Sequence, residues 1–570
     1  MTPGIATPLT DDEIITHFRA GTLLSELQRS LGTTHQEELH ERLASLHNAG
    51  SIDMLTLPAR AEFREIDRSA LFNIQQIYCG VIPRLEAQPL PMLEMVQRLA
   101  TKQGTDGGAM LLHAALGRWV DQVPARAKEI IAAAQSDPGT HPEIVRVALV
   151  TLGDLNSARS LLEASDGRRQ GAIAALGGIK PLNDQHRDEA LTELVAIAAA
   201  DPEMDMRITA IFATFNLLQH CTAHALKWIP RLVAAVTAAP SDATRTALLQ
   251  GLWQHTGLFQ TRDAEAALAV ASGGDLSSGG LLGTLGATLS HLIGGNYHDL
   301  AIDCLTDLLS SDGRSLPLDS LQGVEYRLAS LDQSTLFAAT VRWFRTGDVK
   351  LCEILAKLLG PLHQIQPFDT TLAGYGLTGS QMIVLCHKAI GYMLLAPVMA
   401  TSFVVAALRA NDEAVQSDLT QLLLETLLIN YGATVVMYLE RIAKTDGAYG
   451  PVRKALRLYR TYEKGLNIGT PIKELSPSSY QRATVRQKHY VEGREIRKDA
   501  ERQSVLSRLV HRSTVLYGRK VLSYARGSDR PPMSMEMNTI RSSFEMPKLH
   551  VIDPAGLDLL MMIFRASAPK

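Results

Sequence analysis

Cysteine and aromatic residues are scarce in this chain of 570 residues. Its five cysteines lie far apart and form no CxxC pair, which excludes a disulfide scaffold and a cysteine-rich zinc module and is typical of a reducing compartment. Aromatic residues make up only 5%, whereas Ala and Leu are abundant, and this composition favours helix over strand. The start at Met1 has no basic stretch followed by an apolar core, so we expect no secretory signal and a cytoplasmic location.

The sequence also lacks the common catalytic signatures. It contains no GxxxxGK[ST] phosphate loop, no GxSxG elbow, no HExxH zinc site and no strand-linked GxGxxG. His220 and His224 fall on one predicted helical face next to Cys221, but further ligands are missing nearby, so we predict no metal site. We therefore expect a binding protein rather than an enzyme, and no cofactor.

An enzyme is a weaker alternative. Glu545 and Lys548, with Asp553 just beyond, loosely resemble the acid and lysine set of a nuclease. The usual acid-x-lysine spacing is absent. A concave cluster of carboxylates or histidines near Glu545 would support this alternative.

The charge of the chain is unevenly distributed. Apolar residues make up 46% and charged residues 20%, so a large core can form, and the net charge is only −3. Residues 451–530, however, contain 19 Lys and Arg against 7 Asp and Glu, a local excess of +12. The rest of the chain carries 37 basic and 52 acidic residues. Such a split indicates a polyanionic partner.

The first sixty residues predict three short helices. Thr10 with Glu13 forms a capping-box pattern that opens a helix, which Gly21 can close, and Thr34 with Glu37 opens the third helix in the same way. Apolar residues at helical spacing supply a small core: Ile14, Phe18, Leu24, Leu27, Leu31, Leu39, Leu43 and Leu46. The stretch 51–57 is predicted to be extended and to form a wing.

This pattern resembles the winged helix-turn-helix domain, and the resemblance implies that the third helix is the recognition helix. The charges of that helix argue against reading DNA, because Glu37, Glu38 and Glu41 outnumber Arg42 and would repel phosphates. Docking to a protein or a plain packing role is the preferred interpretation, with DNA reading as the alternative.

Residues 61–440 alternate apolar helical stretches with short Gly, Pro, Asp or Ser breaks. After several breaks comes an Arg followed by a small residue and a Leu-rich stretch, and Arg169, Arg207 and Arg245 recur at equal intervals. This period suits helix pairs that stack on their neighbours. The pattern is similar to HEAT or armadillo repeats, which implies an α-solenoid. An irregular all-helical domain is the alternative.

One uncharged run is long enough to span a bilayer. It covers 389–408 between Lys388 and Arg409. Pro397 in its middle and the polar pair Thr401 and Ser402 instead predict two buried helices that break at the proline. We therefore expect no membrane contact.

The basic region, 441–512, is predicted to form two helices. The first is predicted to start at Pro451 and end at Gly465, with a basic stripe at i, i+4, i+7 and i+11 opposite apolar residues. A linker follows, and the second helix is predicted from Tyr480 to about Arg512, with Tyr480 and Tyr490 among its basic residues. The candidate nucleic-acid-binding residues are Arg453, Lys454, Arg457, Arg460, Lys464, Arg482, Arg486, Lys488, Arg494, Arg497 and Lys498.

The remainder, 513–570, is predicted to form a small β or α+β element. Residues 513–517 and 521–524 flank a turn as in a hairpin, 533–537 alternates with period two, and 548–552 and 557–564 are candidates for further strands.

The sequence thus predicts a mainly α protein: a winged-helix-like unit (1–60), a helical-repeat solenoid (61–440), a basic helical region (441–512) and a small β-containing C-terminal element (513–570). The predicted function is that of a non-enzymatic scaffold subunit of a larger machine. It would bind nucleic acid, duplex DNA first, by contacts to phosphates that ignore sequence, and would also have protein partners. The alternative is a protein–protein adaptor whose basic segment docks on an acidic protein.

Overall fold

Helices account for nearly all the regular structure in the described residues. The computed structural model describes residues 9–29, 36–64, 66, 68–103, 107–137, 139–180, 183–277, 279–360, 365–410, 412–469, 471–472, 476–503, 520–523, 533–536 and 545–568. The chain forms two compact units, one of Met1–Leu305 with Asp319–Val324 and the other of Thr306–Leu318 with Glu325–Lys570. The domain bounds predicted at 60, 440 and 512 stay predictions.

The first unit contains helices α1 to α17 and most of α18, in which the division between the units falls. These helices are α1 (Asp11–Ala20), α2 (Leu23–Arg29), α3 (Gln36–Asn48), α4 (Ala61–Arg64), α5 (Arg68–Val81), α6 (Pro89–Gln103), α7 (Gly107–Gln122), α8 (Ala125–Ser136), α9 (Pro142–Leu152), α10 (Leu155–Leu161), α11 (Gly167–Leu176), α12 (Asp184–Ala200), α13 (Met204–Gln219), α14 (Ala225–Ala238), α15 (Asp242–Gln254), α16 (Thr261–Ser272), α17 (Gly279–Ile293) and α18 (His298–Leu309).

The second unit contains the end of α18, α19 from Glu325 onwards and the remaining helices. The helices after α18 are α19 (Val324–Ala329), α20 (Gln333–Thr346), α21 (Val349–Leu358), α22 (Gly379–Tyr392), α23 (Pro397–Arg409), α24 (Glu413–Leu422), α25 (Gly432–Glu440), α26 (Tyr449–Gly469), α27 (Ser479–Gln503), α28 (Lys548–Ile552) and α29 (Pro554–Ala566). A π-helical turn, Leu423–Leu428, continues α24.

In each unit, helices that are two places apart in chain order pack on each other. In the first unit α5, α7, α9, α11, α13, α15 and α17 form one such series, and α12, α14 and α16 form a second layer against it. In the second unit α20, α22, α24 and α26 form a series, and α23 packs on α25. Two layers of stacked helices are the arrangement of an α-solenoid, so the mainly helical fold class is confirmed at this level.

The three evenly spaced arginines cap the ends of neighbouring helices. Each lies in the first turn of a helix of the first series, and its guanidinium donates to a main-chain carbonyl at the C-terminal end of a neighbouring helix, α10, α12 or α16. The bonds run from Arg169 Nε to Leu162 O (3.0 Å), from Arg207 Nε to Ala198 O (2.9 Å) and from Arg245 Nε to Val270 O (3.1 Å). The last carbonyls of a helix lack hydrogen-bond partners within the helix and carry partial negative charge. A guanidinium stabilises them both by donating a hydrogen bond and by its positive charge.

Arg207 links two consecutive helices of the second layer. It is only 8% exposed, and besides Ala198 at the end of α12 it bonds the carbonyl of Ala239, which follows α14. Arg169 in turn pairs with Asp201, the residue after α12. The repeated arginine therefore joins one helix pair to the next.

The N-terminal unit has the three predicted helices but no extended wing. Thr10 and Glu13 form the predicted capping box, and Gly21 ends α1 with a φ of +72°. The stretch 51–57 forms turns and leads into a 3₁₀ turn at Leu57–Ala59, so the prediction of an extended segment is wrong. The local cause is the Asp53 carboxylate, which accepts from the Leu55 N–H (3.0 Å) and curls the chain. Thr34 and Leu31 lie outside the described residues.

The apolar run 389–408 divides as predicted. Helix α22 ends at Tyr392 and α23 starts at Pro397, so the two-helix prediction is confirmed. Thr401 and Ser402 are fully buried, and each hydroxyl donates to a carbonyl of its own helix. Among the described helices, none combines the length and the apolar character that crossing a bilayer requires.

The C-terminal region contains a short ladder and two helices. Strands β1 (Lys520–Ser523) and β2 (Met533–Glu536) pair antiparallel, with Lys520 opposite Glu536. The strands predicted at 548–552 and 557–564 are wrong, because these residues form α28 and α29. The predicted strand at 513–517 lies outside the described residues, and the small β-containing element as a whole stays a prediction.

Helix α29 packs against α22, which lies much earlier in the chain. The His387 and Phe564 rings stack with centroids 4.5 Å apart, and Arg565 Nε donates to the Gly391 carbonyl (2.7 Å). The ammonium of Lys388, which is 5% exposed, bonds the carbonyl of Arg565 at the end of α29. A Cβ on Gly391 would lie 3.1 Å from Phe564, so the glycine permits the close approach.

We predict that Arg207→Ala destabilises the first unit by about 2–4 kcal/mol, because two carbonyls at buried helix ends lose their donor. The urea midpoint, followed by far-UV circular dichroism, should fall. Arg187→Ala is the control, since the ion pair of Arg187 among the described residues is with the exposed Asp184, and its loss should cost less than about 0.5 kcal/mol. Equal midpoints for the two variants would contradict the capping role.

We also predict that acid weakens the first unit through His113. Its ring is 3% exposed and stacks on His141 at 4.8 Å, and burial, helped by the charge of His141, lowers the pKa of His113 to about 4. The unfolded chain, with an ordinary histidine pKa near 6.5, binds this proton first, so stability is full above about pH 6.5 and falls towards pH 4. In urea-unfolding series at several pH values, His113→Leu should reduce this fall in the free energy of unfolding. His186→Leu, at an exposed histidine, should leave the fall unchanged.

Candidate nucleic-acid interface

Helix α26 is packed over its first half and projects over its second. Val452, Ala455, Leu456 and Tyr459 are buried, as the predicted apolar face requires. Every residue from 460 to 468 is exposed. The prediction that Gly465 ends the helix is wrong, because α26 continues to Gly469, and one interior glycine costs a helix only about 1 kcal/mol.

The basic stripe predicted on α26 divides into packed and exposed members. Arg453 is half-buried and lies over the ring of Tyr449, one turn earlier in α26, at 5.0 Å. Arg460 donates to Glu440 at the end of α25 (2.5 Å) and so ties α26 to the preceding helix. Sequence reasoning missed Glu440, because it lies outside the basic pattern.

The first half of helix α27 is exposed. All described side chains from Tyr480 to Val491 are exposed. The helix starts one residue before the predicted start and extends to Gln503, where the described part of this region stops. Lys488 lies 3.8 Å from Glu492, a weak pair one turn apart. The side chain of Arg497 lies outside the described residues.

The remaining cations of the candidate set are exposed and form no ion pair with a described residue. They are Lys454, Arg457 and Lys464 on α26 and Arg482, Arg486, Arg494 and Lys498 on α27. Their ammonium and guanidinium groups are therefore hydrated and available to an anion.

The first two arginines of α27 lie away from its described acids. At 100° per residue, Glu495 lies opposite Arg486, and Glu492 lies about 80–120° from Arg482 and Arg486. Lys488 lies on the same side as both acids. The acids therefore lower the net charge of the helix without covering Arg482 and Arg486.

The residues of the nuclease-like set have separate structural roles. The Glu545 carboxylate accepts from Ala433 N (3.2 Å) and Thr434 N (3.0 Å) and so caps the start of α25. Lys548 lies in a helix rather than a strand, and Asp553 caps α29 through Gly556 N (2.9 Å). Among the described residues, no ion pair joins the three side chains.

The two histidines beside Cys221 do not share a helix. Helix α13 ends at Gln219, and Cys221 breaks the chain direction with φ −147° and ψ 63° before a 3₁₀ turn that ends at His224. The prediction of one shared face is wrong for this reason. The Cys221 thiol donates to Leu217 O (3.0 Å), and the described residues contain no group of three metal-ligating side chains.

No family model matches the chain, and no curated protein matches it significantly. An engineered protein from a structural genomics consortium aligns with 77% of this chain and 98% of its own at 12% identity and a TM-score of 0.22. A structure of the Pds5–Scc1 complex, solved for its implications for cohesin function, aligns with 81% of this chain and 72% of its own at 12% identity and a TM-score of 0.17. Likenesses this distant carry no argument about fold or function.

Proposed function

We propose that this protein is a non-enzymatic scaffold subunit that binds nucleic acid through the phosphate backbone. The observation that carries the proposal is the set of exposed cations on α26 and α27 that have no ion-pair partner among the described residues. Like charges at four-residue spacing destabilise a helix slightly, and a bound polyanion relieves that repulsion. The chain outside 451–530 carries more acidic than basic residues, so the attraction is confined to the region that contains these helices.

The binding would depend on charge rather than on sequence. Arginine presents a planar fork of donors that can bond two phosphate oxygens at once, and lysine adds a point charge. Phosphate contacts release counterions, which makes affinity fall steeply as salt rises. No described arrangement of side chains is built like a reader of base edges in a groove.

The helical layers would supply the scaffold. Stacked helix pairs offer extended surfaces to protein partners, and HEAT- or armadillo-like repeats remain the proposed type. The winged-helix-like N-terminal unit would dock on protein rather than read DNA. On α3, His40 and Leu43 are buried, and a Cβ on Gly80 would overlap the His40 ring, so this face of α3 is used for packing on α5.

We predict that reversing three exposed cations of α26, Lys454, Arg457 and Lys464, to Glu weakens binding to labelled DNA and RNA at least about tenfold at low salt. Each lost contact removes about 0.9 from the slope of log K against log salt on duplex DNA, so the slope should shrink by about 3. Fluorescence anisotropy across a salt series measures both quantities. The packed Arg453 and the paired Arg460 are left intact so that the fold is kept.

The control carries the same change in net charge elsewhere: Lys128, Arg262 and Arg345, all exposed, changed to Glu. It should bind like the wild type. If both triple variants bind equally weakly, the loss of affinity comes from net charge alone, which would contradict binding at α26. Absence of any binding at low salt would overturn the proposal in favour of an adaptor whose basic helices meet an acidic protein.

A further inference from the structure

Basic and aromatic side chains follow a row that winds around α27. Arg482, Arg486, Tyr490, Arg494 and Lys498 are each four residues apart, so neighbours lie about one helical turn from each other. Each step turns by about 40°, so Lys498 lies about 160° around the helix from Arg482. All five are exposed, and Tyr490 keeps 67% of its surface in water. The row therefore places an aromatic face in the middle of a line of cations.

A shallow depression lies on another side of α27. Its described lining is all on this helix: Tyr480, Ala483, Thr484, Gln487, Lys488, Val491 and Glu492. At 100° per residue, these residues flank the second half of the row, where Gln487 is about 60° from Tyr490, and they lie opposite Arg482. Tyr480, which is 78% exposed, stands at one end of it. The two tyrosines are about 15 Å apart along the helix axis, a span of a few nucleotides.

Two exposed tyrosines among arginines fit single strands better than duplexes. In a duplex, each base is paired and stacked between its neighbours, so a tyrosine ring outside the helix has no base face to contact. In a single strand, the bases can turn away from each other and stack on aromatic rings, while the phosphates meet the cations. The amide of Gln487 in the depression can in addition bond base edges.

We propose that α27 is a binding surface for single-stranded nucleic acid, with phosphates along the arginine row and bases stacked on Tyr490 and Tyr480. This inference rests on the proposed function and replaces the duplex named from the sequence with single-stranded DNA or RNA. The shared chemistry is a flexible polyphosphate with unpaired bases.

The test uses the full chain and the double variant Tyr480→Ala with Tyr490→Ala. Anisotropy is measured on oligo(dT) and oligo(U) of about 30 nucleotides and on a duplex of the same length at one salt concentration. The wild type should bind at least one of the single strands more tightly than the duplex. The double variant should lose at least about tenfold on that strand and change less than about twofold on the duplex.

Two control variants separate stacking from other effects. Phe at both positions keeps the rings and should retain single-strand binding. Tyr326→Ala removes a tyrosine that is 77% exposed on α19 and should leave binding unchanged. Far-UV circular dichroism confirms that the variants keep their helix content. The stronger of the two single-strand affinities then distinguishes DNA from RNA.

Three results would overturn the inference while leaving the proposed function intact. They are tighter wild-type binding to the duplex, equal losses on duplex and single strands in the alanine variant, and a phenylalanine variant as weak as the alanine variant. A chain that binds none of the three probes at low salt would overturn both proposals.

Discussion

The bond between an arginine guanidinium and the carbonyl end of a neighbouring helix is the interaction on which the stacking of the first unit depends. Apolar layers of Leu and Ala hold helices together but allow them to slide along each other, because such contacts have no direction. A guanidinium that bonds one particular carbonyl fixes the position of one helix along the axis of its neighbour. Arg207 does this for two helix ends at once, with its charge almost wholly removed from water.

The repeat of these arginines was predictable from the sequence, but their partners were not. Their even spacing indicated a helix pair as the repeating unit, since the period of a sequence pattern reports the length of a structural unit. Main-chain carbonyls leave no trace in the side-chain sequence. The sequence therefore cannot distinguish an arginine that caps a helix from one that is available to bind an anion. The burial of the side chain makes the distinction: Arg207 is buried and Arg457 is exposed.

The errors at the C-terminus and in the candidate site share this origin. The run 557–564 is apolar enough for either a strand or a helix, and burial of Leu557, Met561 and Phe564 at helical spacing decides for the helix. The capping signal of Asp553 and Pro554 was present in the sequence and gave the better indication. The exposed row on α27 follows from periodicity alone. The pairing of Arg460 with Glu440 of the preceding helix requires the packed structure.

The docking of α29 on α22 holds the chain on both sides of the basic helices. Helix α26 is packed over its first half, and α29 packs on α22 through Phe564, Arg565 and the buried Lys388. Both ends of the intervening chain are thus anchored, one covalently and one by packing. A proteolytic cut between α26 and α28 would leave two polypeptides that still migrate as one particle, joined by this helix pair.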